Sequence, residues 1–120
     1  MIRVELTHAF PVPVSDGFAY ITDMKKWEQY WPDFVGIKDS ANAKWGNAGD
    51  TVTVVLRLLS RERELNMKLE EFQKDTLVIY TSHQQGLPDA RHERHFRAIP
   101  NGLEYRLVVT CQGPRHRELL

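Results

Sequence analysis

The chain lacks several features that would place a protein quickly in a functional class. It has one cysteine in 120 residues, which excludes an internal disulfide and favours a reducing compartment. Its 16 basic and 16 acidic side chains cancel, so no overall field attracts nucleic acid or an anionic membrane surface. No run approaches the roughly 20 apolar residues of a membrane-spanning helix, and the N-terminus lacks the apolar core of a signal peptide. We therefore expect a cytoplasmic domain that neither binds nucleic acid nor spans a membrane.

Motifs for catalysis or metal binding are also scarce. There is no Ser-His-Asp set, no Gly-rich phosphate loop and no CxxC motif. Residues 91–95 read Arg-His-Glu-Arg-His, which differs from the His-Glu-x-x-His zinc motif, because that motif needs its histidines at i, i+4 on a helix. On a strand, His92 and His95 would point to opposite faces and could not share a metal. We expect no metal site and no cofactor.

What the chain does have is a clear order of elements at its N-terminus. Residues 2–8 alternate apolar and polar side chains, which predicts a half-buried strand ended by two prolines. Ser15 is the expected N-cap of a first short helix, and Asp23 the expected cap of a second. Pro32 should end the second helix, because the residue before a proline is biased away from helical geometry. Both helices are too short to be stable without packing on a sheet.

The rest of the chain is predicted to be an antiparallel meander within a single domain, residues 1–120. Apolar side chains alternate with polar ones around residues 51–58, 65–69 and 103–111. Residues 76–83 also read as a strand, but both of its faces are mixed and its inward face cannot be assigned. In the last strand Cys111 falls in the apolar phase, where it is expected to be a small buried hydrophobic residue.

The strand at residues 90–98 gives the sharpest prediction. One face carries the charged side chains of residues 91, 93, 95 and 97, so that face belongs in water. The other face should point into the interior; it comprises Ala90, His92, Arg94, Phe96 and Ala98. A buried arginine needs a carboxylate, a water-filled space or an anionic ligand. The alternative is that Arg94 lies at the rim and extends its charged end into solvent.

This order of elements, together with residues 23–32 (Asp-Met-Lys-Lys-Trp-Glu-Gln-Tyr-Trp-Pro) and the pair Gly49-Asp50, resembles the START-like (SRPBCC) superfamily, and within it the polyketide cyclase/dehydrase-like branch. The resemblance implies an α+β helix-grip (Bet v 1-like) fold, in which a curved antiparallel sheet and two short helices enclose a cavity. It also implies a long C-terminal helix across the sheet, which here is absent or truncated, since only its first turn fits in residues 114–120. Without that helix we expect Val54, Leu56 and Leu107 to face water unless a second copy, or a longer natural chain, covers them.

The resemblance implies that the chain binds a small apolar or amphipathic molecule, lipid- or polyketide-like, with Arg94 and His92 at its polar or anionic end. The expected ligand-binding residues are Trp31, Val54, Leu56, Met67, Leu69, His92, Arg94, Phe96, Tyr105 and Leu107. Trp31, with Trp27 and Tyr30, has packing of the helix on the sheet as its alternative role.

Two alternatives to simple binding remain open. One is an enzyme of the cyclase or aromatase kind, with His92 and His83 as the catalytic candidates. His83 would join His92 only if Leu77, Ile79 and Thr81 point inward. The other is a protein-interaction module that uses the exposed sheet face, with a homodimer as one form of it.

Overall fold

The computed structural model describes residues 1–112 as one curved antiparallel sheet with a short helical segment. In chain order the elements are β1 (Ile2–Phe10), α1 (Val14–Thr22), α2 (Trp27–Tyr30), β2 (Phe34–Lys38), β3 (Thr51–Leu58), β4 (Arg61–Gln73), β5 (Leu77–His83), β6 (Ala90–Ile99) and β7 (Gly102–Cys111). Single turns of 3₁₀ helix at Met24–Lys26 and Ser40–Asn42 complete them. The helix expected at residues 114–120 lies outside the described residues.

The strand order across the sheet is β1-β7-β6-β5-β4-β3-β2, so the first and last strands are neighbours. Strands β2 to β7 follow one another as the predicted meander, and β1 and β2 form the two edges. The sequence did not indicate β2, because it has only five residues and its register shifts between Phe34 and Gly36. Such a short and irregular strand shows almost no alternation.

The helical segment begins differently from the prediction. Helix α1 starts at Val14 directly after Pro13, and Ser15 does not cap it. Instead the Ser15 hydroxyl donates to Asp75 Oδ2 at 2.9 Å, which ties α1 to the turn between β4 and β5. The cap at Asp23 is confirmed, since its Oδ1 accepts from the backbone N–H of Lys25 at 2.9 Å. The cap starts the 3₁₀ turn that leads into α2.

The core lies on the concave side of the sheet, under the helical segment. Its buried members are Phe18, Trp27, Val52, Val54, Leu56, Met67, Leu69, Val78, Tyr80, Phe96 and Leu103. Val54 is 0% exposed and Leu56 is 8% exposed, so the expectation that they face water was wrong. The reason is that the rings of Trp31 and Trp45 pack on this cluster, in edge-on contact with Trp27.

The exposed apolar surface lies instead at the opposite edge, on β1. The inward residues Ile2, Val4 and Leu6 are 49%, 51% and 51% exposed, and all nine residues of the strand are exposed. Leu107, which lies directly opposite Leu6 on β7, is partly buried. Within residues 1–112, the β1 side of the sheet is therefore exposed and the β3 side is covered. Within residues 1–112, no helix has the length and apolar character needed to span a bilayer.

The convex side of the sheet carries the charged row predicted for β6. Arg91 and Arg97 are exposed, whereas Phe96 on the other face is 5% exposed. Glu93 is less exposed than predicted, because it accepts from Arg91 Nη1 at 2.9 Å and is hydrogen-bonded to His95 Nε2 at 2.9 Å. Two apolar residues, Ile79 and Val108, lie opposite Glu93 and are nonetheless buried, at 6% and 1% exposure.

Candidate functional site

Arg94 occupies the middle of β6, between Val78 on β5 and Leu107 on β7, and its side chain lies on the concave side. Nη1 donates to the hydroxyl oxygen of Tyr105, and Nη2 donates to that of Tyr80 at 3.0 Å. The guanidinium carbon is 5.6 Å from the centre of the Tyr80 ring, a distance typical of a cation–π contact. The alternative that Arg94 extends into solvent at the rim is therefore wrong.

No carboxylate within residues 1–112 forms an ion pair with Arg94. Burial alone lowers the pKa of Arg94, but the tyrosine oxygens around it outweigh this effect and raise the pKa, so the guanidinium remains protonated. Among the described residues, the groups that contact this positive charge are thus two neutral phenols. Such a charge favours any anion that reaches it, because the surrounding medium screens it poorly.

The hydroxyl groups of Tyr80 and Tyr105 place two further hydrogen-bond donors next to the charged guanidinium. Each phenol oxygen accepts a hydrogen bond from Arg94, which leaves its own O–H free to donate. Among the described residues, neither hydroxyl has a protein acceptor for that hydrogen. The cluster of Arg94, Tyr80 and Tyr105 is therefore rich in donors and poor in acceptors, and the atom it complements is an oxygen acceptor.

A small internal cavity, here called the arginine chamber, borders the guanidinium. Its volume is about 10 Å³, roughly the space of one water molecule or one oxygen atom. It is lined by Ile21, Thr22, Trp27, Tyr30, Trp31, Trp45, Met67, Val78, Tyr80 and Arg94. Its size limits direct contact with Arg94 from this side to a single small atom.

A much larger cleft, here called the α1 groove, runs between α1 and the end of the sheet near β7. Its volume is about 600 Å³, within the usual range for small-molecule sites. It is lined by Phe10, Pro11, Val12, Asp16, Gly17, Tyr20, Ile21, Tyr30, Phe96, Leu103 and Tyr105. The lining is mainly apolar and aromatic, as expected for a site that binds an apolar molecule.

Gly17 allows α1 to approach β7 closely at the floor of the α1 groove. A Cβ atom at this position would lie 2.4 Å from Cδ2 of Leu103, well inside van der Waals contact. Leu103 is only 3% exposed and has little room to move. The absence of a side chain at Gly17 therefore sets the spacing between the helix and the strand that bound the groove.

Two tyrosines connect the α1 groove to the arginine. Tyr105 lines the groove while its hydroxyl accepts from Arg94. Tyr30 lines both the groove and the arginine chamber, and its hydroxyl donates to the backbone oxygen of Ile21 at 2.6 Å. Burial raises the pKa values of both Tyr30 and Tyr105, so both phenols stay neutral and remain donors at physiological pH.

His92 lies on the same face of β6 as Arg94 but takes part in different contacts. Its Nε2 is 2.8 Å from the hydroxyl of the buried residue Ser82, and its ring stacks on that of Tyr80. Burial, and then the charge of Arg94, lower the pKa of His92 to about 4. The imidazole is therefore neutral at physiological pH. It lines neither the α1 groove nor the arginine chamber.

The pairing of His83 with His92 is not observed. The concave face of β5 carries the buried residues Val78, Tyr80 and Ser82. The pairing required the other face of the strand, with Leu77, Ile79 and Thr81, to point inward. His83 lies on the other face, and its Nδ1 is 2.7 Å from Asp89 Oδ1 with the side chain 55% exposed. The two histidines therefore cannot act on one bound molecule.

The predicted ligand-binding residues divide into three groups. Phe96 and Tyr105 line the α1 groove, and Trp31, Met67 and Arg94 line the arginine chamber. The remaining predicted residues border neither cavity; they are Val54, Leu56, Leu69, His92 and Leu107. Val54 and Leu69 are 0% exposed, so they form the packed core beneath the site rather than its surface.

Sequence reasoning missed the residues that form most of the α1 groove. Phe10 and Val12 come from the end of β1 and the loop after it, and Tyr20 and Ile21 from α1. A signal was present in part, because this stretch has large apolar side chains next to two prolines. The sequence did not show that this stretch lies close to Phe96 and Leu103, because these residues are more than 70 positions away along the chain.

Comparison with known proteins gives matches in structure only. No family model matches the chain, and a search of curated proteins finds no match. A protein from Rhodobacter sphaeroides superposes with a TM-score of 0.80 and 13% identity over 98% of this chain and 77% of its own. Ara h 8.0201 superposes with a TM-score of 0.76 and 16% identity, over 96% of this chain and 79% of its own. The chain has the START-like helix-grip fold.

The helix-grip fold is also found in DynU16, from the dynemicin biosynthetic locus, which matches with a TM-score of 0.73 and 12% identity over 97% of this chain and 39% of its own. The resemblance predicted from residues 23–32 and the order of elements is thereby confirmed at the level of the fold. At identities this low the likeness concerns the backbone, while the residues of the site have to be judged on their own contacts.

Proposed function

We propose that this helix-grip domain binds a small, largely apolar molecule in the α1 groove, with an oxygen acceptor at the end that meets Tyr105 and Arg94. One observation carries the proposal: Tyr105 lines an apolar groove of ligand size, and its hydroxyl is bonded to Arg94, which has no carboxylate partner within residues 1–112. The apolar lining supplies affinity through burial, and the donors supply orientation.

The chemistry of the donors narrows the polar end of the ligand. Hydrogen bonds from a guanidinium to an anionic oxygen are about twice as strong as neutral ones, so an anion is favoured over a neutral carbonyl. The arginine chamber, at about 10 Å³, admits one oxygen-sized atom and excludes a phosphate or sulfate group from this side. A carboxylate, a phenolate or an enolate fits both conditions.

A matched pair of probes tests the proposal. 2-Naphthoate and its methyl ester share one apolar body and differ in the negative charge, so isothermal titration calorimetry can separate burial from charge recognition. The wild-type protein should bind 2-naphthoate more tightly than the ester. Arg94→Met should reduce the affinity for 2-naphthoate about tenfold or more and leave the affinity for the ester nearly unchanged.

The control for this experiment is Arg57→Met, which removes an exposed arginine on β3 that is paired with Glu62. Arg57→Met should bind both probes as the wild type does. Equal affinity of the wild type and Arg94→Met for 2-naphthoate, at matched salt and with both proteins folded, would show that Arg94 does not contact the ligand. If neither probe binds to the wild-type protein, the result would contradict the α1 groove as the site.

A second candidate function uses the same donors for catalysis. Tyr105 and Arg94 could stabilise an enolate that forms in a cyclase or aromatase reaction, because preformed donors aimed at a developing oxyanion lower a barrier. The position of Tyr105 in the groove favours this role over proton transfer by His92, which is bonded to Ser82 and lines neither cavity. Turnover of a poly-β-ketone by the wild type, with loss in Tyr105→Phe, would favour the enzyme over the binder.

The third function, protein interaction, is favoured by a separate observation. Ile2, Val4 and Leu6 form an exposed apolar row on β1, of a kind that soluble monomers rarely leave uncovered. The partner we propose is a second copy of the chain. Sedimentation equilibrium of the 120-residue chain tests this proposal directly, since self-association makes the apparent mass rise with concentration.

A further inference from the structure

The two edges of the sheet differ in how they are protected against another strand. The edge formed by β2 is five residues long, and its register with β3 shifts between Phe34 and Gly36. Short length and irregular pairing are the usual means by which an edge avoids a partner. The edge formed by β1 has neither: its nine residues pair with β7 in one unbroken register from Ile2 to Phe10.

β1 is also exposed on both of its faces. Its apolar row Ile2, Val4 and Leu6 is about half exposed, and no strand within residues 1–112 pairs with its outer side. A long, regular edge with free backbone donors and acceptors and an apolar face is a template for a further strand. The pairing partner would gain hydrogen bonds along the whole strand and would cover part of the apolar row.

We propose, on the basis of the self-association inferred above, that two copies of the chain pair through β1 in antiparallel fashion, with the two-fold axis at Val4. In an antiparallel pair, residues directly opposite each other point to the same face, so the axis must pass through a residue. An axis at Val4 places Ile2 opposite Leu6 of the partner subunit and Val4 opposite Val4 of the partner subunit. The two apolar rows then become continuous across the dimer.

The charges on the convex face favour this register over its neighbours. With the axis at Val4, Arg3 lies opposite Glu5 of the partner subunit, and the symmetry repeats this pair of opposite charges. An axis at Glu5 would place two like carboxylates directly opposite each other, which is destabilising. An axis at Leu6 would place Arg3 opposite Ala9 of the partner subunit, so Arg3 and Glu5 would keep their ion pairs within one subunit but gain none across the interface.

Disulfide trapping tests the register. Residues directly opposite each other in an antiparallel pair have Cα atoms about 4.5–5.5 Å apart, within the range that a disulfide spans. In a Cys111→Ser background, which removes the native thiol, Val4→Cys should form a covalent dimer under mild oxidation. The control Leu6→Cys should not, because in this register its thiol lies opposite Ile2 of the partner subunit.

Charge reversal gives an independent test that leaves the thiols untouched. Arg3→Glu places like charges opposite each other at both symmetric positions, so the dissociation constant from sedimentation equilibrium should rise about tenfold. The double variant Arg3→Glu with Glu5→Arg restores opposite charges across the interface and should recover part of the affinity, because Glu5→Arg also replaces the ion pair with Arg106 by a like-charge contact. The control Arg57→Glu breaks an exposed ion pair on β3 and should leave the dissociation constant unchanged.

The outcomes separate the register from self-association itself. A chain that stays monomeric at every concentration overturns both, provided that circular dichroism shows it folded. A dimer that neither crosslinks through Val4→Cys nor weakens with Arg3→Glu overturns the β1 register and places the interface elsewhere. Crosslinking of Leu6→Cys in preference to Val4→Cys also overturns the register, because it moves the axis to Leu6.

Discussion

The imidazole of His92 stacks on the ring of Tyr80, with the ring centres 4.3 Å apart and the planes 7° from parallel. Tyr80 in turn accepts from Arg94, so a neutral histidine, a phenol and a guanidinium form one connected group. The stack excludes water from one face of the imidazole, and the arginine disfavours a second positive charge nearby. Both effects keep His92 neutral, so Arg94 is the charged member of this connected group.

The first prediction concerns the pH dependence of stability. The pKa of His92 is about 4 when folded and 6.5 as its ordinary value, so between these pH values the unfolded chain binds more protons. Stability from this group is therefore complete above pH 6.5 and is lost as pH falls towards 4, by at most about 3 kcal/mol. Urea unfolding at a series of pH values should show this loss, and His92→Gln should reduce it.

Nuclear magnetic resonance of the imidazole gives the same quantity directly. Arg94→Met removes the second cause of the shift, so it should raise the pKa of His92 towards its ordinary value while burial still holds it below. A pKa of His92 near its ordinary value in the wild type would contradict the buried, stacked environment. Equal acid sensitivity of the wild type and His92→Gln would mean that other groups cause the loss of stability at low pH.

The second prediction concerns alkaline pH. Burial raises the pKa values of Tyr30 and Tyr105 above the ordinary 10.0, so their neutral forms contribute stability that is complete below pH 10 and is lost as pH rises above it. The absorbance of tyrosinate should therefore show that these phenols ionise late, together with unfolding. Tyr30→Phe and Tyr105→Phe should each remove one late-ionising group. Ionisation of all four tyrosines of the chain at ordinary pH, without unfolding, would contradict this.

The third prediction concerns the core. Met67 is 2% exposed, so Met67→Ala should lower the free energy of unfolding by about 2–5 kcal/mol, through lost burial and the cavity left behind. Leu59→Ala is the matched control, because Leu59 is 98% exposed and its truncation should change stability by no more than about 0.5 kcal/mol. Denaturant unfolding of the two variants provides the measurement. Similar effects for both would place Met67 outside the core.

The fourth prediction concerns the acceptors of Arg94. Tyr80→Phe removes the oxygen that accepts from Nη2 at 3.0 Å, and a partly buried donor left without a partner should cost about 1–3 kcal/mol. Tyr20→Phe is the control, because the Tyr20 hydroxyl donates to Gln29 Oε1 at an exposed site. It should be nearly neutral. A Tyr80→Phe protein as stable as the wild type would imply that Arg94 finds another acceptor or turns away from the core.

Alternation along the chain was sufficient to predict much of the fold. The period of two in residues 51–58 and 65–69 identified β3 and β4 and their buried faces, because a one-residue slip would bury charges. The same rule placed Arg94 and Phe96 on the concave side. It failed for β5, whose buried residues Val78, Ile79 and Tyr80 are consecutive. Because both faces of β5 are partly buried, its sequence pattern does not show which face points inward.

The candidate site was predictable only in part, and the reason is physical. The sequence alone determined that an arginine would face the interior and that no charged neighbour on its own strand face would balance it. Only the tertiary structure decided that its partners are the phenols of Tyr80 and Tyr105, 14 and 11 positions away along the chain. Likewise the apolar row of β1 can be read in residues 2–6, but its exposure depends on which elements fold over the sheet. Local pattern sets the face of each side chain, whereas partners and cover are set by contacts between residues far apart in sequence.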